Sequence, residues 1–128
     1  MDNETYYRRM FYIAALWNWI ATGTFLFGAS LMSSMGISAP IDGVGKQLFC
    51  MMVAVFGLGY YLVARDITRN RGIVILGIVG KLGVVVLIMG NVFAGSVQFS
   101  FAAPILVDAL FVILFVQFLR NYQPMGMR

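Results

Sequence analysis

Gly72–Phe93 reads GIVILGIVGKLGVVVLIMGNVF. Apart from Lys81 and Asn91 it is aliphatic residues, glycine, one methionine and one phenylalanine. A run of this kind matches the ~20 residues that an α-helix needs to cross the hydrocarbon core of a bilayer. It is apolar on every side, so its solvent is lipid and not water. Three more segments of similar character lie around it, at about Met10–Met32, Gln47–Ala64 and Phe101–Leu119. The first is too long for a cleavable signal peptide, opens on aromatics and is followed by further spans. The links between segments are short, which makes sequential neighbours antiparallel. The sequence therefore predicts an all-α transmembrane protein, an antiparallel four-helix bundle forming one domain over residues 1–128, with no room for a soluble domain.

Composition agrees. Of the 128 residues, 61% are hydrophobic and 11% are charged, against about 25% charged in an ordinary soluble domain. The formal net charge of +4 does not point to nucleic acid, because the basic residues sit at the ends of apolar segments, where they set orientation. There is no histidine and a single cysteine, Cys50. An intrachain disulfide is ruled out, and the commonest zinc ligand, haem ligand and proton shuttle are missing. Nine methionines are scattered along the chain, with Met51 and Met52 the adjacent pair; they read as packing residues and not as a soft-metal site. No metal site and no cofactor are expected.

Ser33–Lys46 holds Gly36, Pro40, Gly43 and Gly45, which is turn chemistry. Arg65–Arg71 is a tight charged turn, and Ala94–Ser100 is small and polar. Pro104 falls in the first turn of the last helix, where a missing N–H costs nothing. Arg8, Arg9, Arg65, Arg69, Arg71, Arg120 and Arg128 all lie on one side of the predicted bundle, and only Lys46 lies on the other. The positive-inside rule then puts both termini in the cytoplasm. Tyr6, Tyr7, Tyr60, Tyr61 and Tyr122 read as an aromatic belt on that side; Trp17 and Trp19 are not at a boundary. Arg65, Arg69 and Arg71 are candidates for contact with anionic lipid head groups, against a plainer role in topology with an Arg–Asp contact to Asp66.

Two charges remain inside the spans, Lys81 and Asp108. A charge at mid-bilayer costs at least ~2.5 kcal/mol, so it faces protein and takes a partner. At ~1.5 Å of helical rise per residue, Lys81 lies roughly 15 Å beyond Arg71 and Asp108 roughly 18 Å beyond Arg120. Their helices are consecutive and antiparallel, so the side chains can meet near the midplane. Asn18 lies at roughly 14 Å, with Thr22 one turn on. Ala14, Asn18, Ala21, Thr22 and Ala29 form a small and polar stripe suited to close helix contact, and Gly77, Gly80 and Gly83 offer a similar approach on the third span. Asn18, Thr22, Lys81 and Asp108 are thus expected around one buried site. Three uses are open: a structural clamp, a site for a polar head group, or a proton-carrying pair.

The motifs Tyr6-Tyr7-Arg8-Arg9 leading to Asn18, Phe56-Gly57-Leu58-Gly59-Tyr60 running into Ala64-Arg65-Asp66, Arg69-Asn70-Arg71-Gly72, Gly80-Lys81-Leu82 and Asp108 give nearly the whole chain a resemblance to the DoxX-like group of small bacterial four-helix membrane proteins. The resemblance implies a four-helix bundle, and some members are linked to quinone-dependent sulfur or redox systems, often as accessory subunits. Small multidrug transporters carry an acidic residue in the first helix, which this chain lacks. Three function classes follow. A non-catalytic accessory or scaffold subunit, packed against a larger membrane complex or forming a homodimer among membrane lipids, comes first. A binder or carrier of a small amphiphile, quinone or lipid, at the Lys–Asp–Asn site is the alternative. An enzyme comes last, since Lys81 and Asp108 are the only acid–base candidates.

Overall fold

The computed structural model describes residues 3–37 and 43–122. Pro40 and Arg128 lie outside the described residues, as does the side chain of Ala29. The described chain is helical with no strand: α1 (Asn3–Phe27), the short α2 (Ala29–Ser34), α3 (Gly43–Arg65), α4 (Arg71–Phe93), a single 3₁₀ turn (Phe99–Phe101) and α5 (Ala102–Asn121). Helices α1, α3, α4 and, with its 3₁₀ lead-in, α5 are long and apolar enough to cross a membrane. They form an antiparallel bundle, and the protein is a multi-pass membrane protein.

The first helix departs from the predicted Met10–Met32. It starts at Asn3, because the polar stretch before the apolar run is helical too, tied by a 2.7 Å Glu4–Arg8 ion pair one turn apart. It also breaks at Gly28, whose backbone (φ −105, ψ 26) leaves the helical region. A Cβ there would stand 2.7 Å from the Thr24 carbonyl oxygen. Gly28 still donates to Thr24 O and accepts from Met32 N, so α2 continues as a kinked extension. Helices α2 and α4 end in the same device. Gly36 (φ 75) and Gly95 (φ 82) take the left-handed conformation, and the next N–H returns to the carbonyl five residues back. The Arg65–Arg71 turn is held by Asp66 Oδ1, which accepts from Thr68 Oγ1 at 2.8 Å, and by Asn70 Nδ2, which donates to Leu62 O at 3.1 Å.

The four spans pack as two close pairs, α1 with α3 and α4 with α5. The pairs join through an aromatic core confined to the arginine-rich half. Phe11 stacks on Phe115 and meets Phe118 edge-on, both at 5.0 Å between ring centroids, and Tyr60 packs on Phe115 at the same distance. In lipid there is no hydrophobic gain from bringing helices together, so this interlocking of rings, with hydrogen bonds between spans, is what holds the pairs. Tyr7, Tyr60 and Tyr122 belong to this core, which corrects the aromatic-belt reading. Three of those five tyrosines point inward, where their rings pack on Phe115 and Phe118; Tyr6 alone of the five is well exposed. Outward positions such as Phe27 (87% exposed), Leu76 and Val86 are bare apolar surface that lipid covers.

Candidate functional site

Above the aromatic core, at mid-bundle, all four spanning helices contribute to a polar cluster. Lys81 from α4 is its centre. Its Nζ lies 2.6 Å from Asp108 Oδ1 of α5 and 3.1 Å from Asn18 Oδ1 of α1. The same ammonium sits 5.5 Å from the ring centroid of Tyr60 on α3 and 5.4 Å from that of Phe111 on α5. Ring faces attract a desolvated cation, so the side of the ammonium away from its oxygen partners is also stabilised. Asn18 is oriented by its own Nδ2, which donates to Val53 O at 3.0 Å and turns Oδ1 toward Lys81.

Two glycines make these approaches possible. A Cβ on Gly57 would stand 2.7 Å from the Trp19 indole nitrogen and 3.2 Å from Asn18 Cβ, so this position lets α1 close on α3. A Cβ on Gly77 would stand 2.7 Å from the Tyr60 ring. The glycines of α4 were expected to admit another backbone. Instead Gly77 admits one ring, Gly80 faces Phe56 at an ordinary 3.7 Å, and nothing lies near Gly83.

The structure brings Asn18, Lys81 and Asp108 into direct contact. Thr22 lies one turn above and meets the cluster through the main chain of Asn18: its hydroxyl donates to Asn18 O at 2.9 Å and reaches Cys50 O at 3.4 Å. Trp17, Tyr60 and Phe111 were not expected at the cluster from the sequence. Trp17 Nε1 donates to Asp108 Oδ1 at 3.2 Å, and Tyr60 supplies a ring face. The signal for Trp17 was present, since an indole N–H deep in a span needs an acceptor.

Of the three arginines named for lipid contact, Arg71 is used within the fold. Its guanidinium donates to Leu119 O at 2.8 Å and to Tyr122 O at 3.5 Å, closing the end of α5, and it lies over the Phe118 ring. Arg69 makes an exposed 3.5 Å pair with Asp66, and Arg65 lies over Tyr61.

Beyond the cluster, toward the end away from the arginines, the two helix pairs separate and enclose a cavity of about 380 Å³. Asn18, Tyr60, Lys81 and Asp108 border it at one end, Lys46 and Phe101 at the other, and its walls are nearly all apolar. Phe25 on α1 and Phe101 meet at 5.6 Å across the α1–α5 side. On the α3–α4 side, Met52 and Leu87 border the cavity and are also 56% and 67% exposed, so the cavity meets the lipid there. Among the described residues no cluster of His, Cys, Asp or Glu could hold a metal ion. Comparison with family models, with curated proteins and with solved structures finds no match for this chain.

Proposed function

We propose that this chain is a non-catalytic membrane protein that holds a small amphiphile, entered from the lipid, with the polar part of the molecule at the Asn18–Lys81–Asp108 cluster. One observation carries the reading. The charged cluster stands at the end of a cavity of about 380 Å³, within the ordinary range of ligand pockets at ~300–1,000 Å³. A clamp that only fixes helix order has no use for an open space beside it, and close packing would serve it better. The accessory-subunit reading is compatible with this, since a subunit can hold a lipid or quinone for a larger complex. The resemblance to DoxX-like proteins supports the same pairing of roles. The resemblance supports a bacterial cytoplasmic membrane, and the basic residues support an orientation with both termini in the cytoplasm, where the exposed Arg65 and Arg69 can meet anionic head groups.

Native mass spectrometry after gentle extraction tests the proposal. The protein should carry a retained lipid-class adduct, and Val84→Trp, which puts a large ring into the cavity wall, should lose it while keeping its fold. An adduct of equal occupancy in both proteins would place the lipid on the outer surface and end the reading. Cysteine labelling tests the orientation: a cysteine at position 69 labelled from outside intact cells would reverse it.

A further inference from the structure

The cluster's hydrogen bonds leave one carboxylate oxygen over. Asp108 Oδ1 takes both of the bonds that reach this carboxylate, from Lys81 Nζ at 2.6 Å and Trp17 Nε1 at 3.2 Å. Oδ2 accepts none among the described residues. No buried side-chain nitrogen or oxygen in that set lacks a partner, so Oδ2 is not sealed in protein. Asp108 borders the cavity, and its side chain is 19% exposed against 8% for Lys81. Lys81 is more nearly satisfied: two of its three N–H groups are bonded to oxygens, and the rings of Tyr60 and Phe111 lie within 5.5 Å of its ammonium. The amide of Asn18 is engaged at both its oxygen and its nitrogen.

We infer that the site selects a neutral amphiphile bearing a hydroxyl group, which donates its O–H to Asp108 Oδ2 while its chain lies along the apolar walls. A ligand offering only carbonyl or ether oxygens can accept from the second N–H of Asn18 or the Tyr60 hydroxyl, but it brings Oδ2 no donor and leaves that charged acceptor unpaired. The Lys81–Asp108 pair is already neutral, so an anionic head gains no net attraction and would face the open carboxylate oxygen. A hydrogen bond to a charged acceptor away from water is among the stronger kinds, and leaving Oδ2 bare against an apolar ligand carries the desolvation cost. This inference rests on the cavity being a binding site, as proposed above.

The test uses three probes of equal chain length, 1-dodecanol, its methyl ether and dodecanoate, added to the full chain in nanodiscs. Binding is read by competition with the retained adduct and by the fluorescence of the indoles. Dodecanol should bind best, with the ether and the carboxylate at least about tenfold weaker. Because Asp108→Leu alone strands Lys81, the variant for comparison is the double change Lys81→Met with Asp108→Leu, which leaves no lone charge. It should still bind a chain but no longer distinguish alcohol from ether. Equal binding of alcohol and ether by the unmodified protein would overturn the inference and leave the cavity reading standing. Binding of none of the three would overturn both.

Discussion

Removing one member of the Lys81–Asp108 pair should destabilise the bundle sharply, and removing both should not. Lys81→Met takes away the 2.6 Å partner of Asp108 and leaves the carboxylate with the Trp17 indole alone. Asp108→Leu leaves an ammonium that is 8% exposed with the Asn18 amide and two ring faces. Stranding a buried charge costs ~3–5 kcal/mol, whereas replacing a whole buried pair by apolar residues of similar volume is close to neutral. The double variant is therefore expected within ~1–2 kcal/mol of the parent, a coupling of at least ~2 kcal/mol in the cycle. Unfolding in mixed micelles by titrated sodium dodecyl sulfate, followed by helical circular dichroism, measures all four corners. A coupling below ~0.5 kcal/mol would mean that two independent groups occupy this depth, and the ion pair would have to be abandoned.

Other outcomes follow from the packing. Gly77→Ala should cost ~1–3 kcal/mol, because its Cβ would press on the Tyr60 ring that faces Lys81, while Gly83→Ala, with open space around it, should not lower the unfolding midpoint. Ala14→Leu should destabilise by a similar ~1–3 kcal/mol, since Ala14 is fully buried between helices. Ala21→Leu should be tolerated because Ala21 borders the cavity, and Phe27→Leu should be silent on the lipid face; equal midpoints for Ala14→Leu and Phe27→Leu would contradict the described face of α1. Arg71→Ala should cost ~1–3 kcal/mol through the lost bonds to Leu119 O and Tyr122 O, against no measurable change for Arg69→Ala, whose ion pair is exposed.

Residue spacing along a helix carried part of the site. Asn18, Lys81 and Asp108 could be set at one depth because helical rise is regular and short links force antiparallel neighbours. Which way a side chain turns about its own axis has no such ruler in a helix that is apolar all round. Tyr60 illustrates this. Its position near the charged turn suggested an interface tyrosine, and only the space left by Gly77 shows that its ring turns inward. Arg71 is similar. Three arginines in one turn look alike in sequence, and the carbonyls of Leu119 and Tyr122 single out one of them.

The order of residues alone makes this a four-span helical protein, because a bilayer core tolerates few charges and requires every backbone polar group to be satisfied within the helix. It also makes the two remaining mid-span charges seek protein, since lipid offers them nothing. That the aromatic core fills one half of the bundle while the other half stays open beside Asp108 follows from the packing of the spans and not from their composition. That division depends on which pairs of helices approach closely, and lipid, unlike water, exerts no pull that would close every apolar gap.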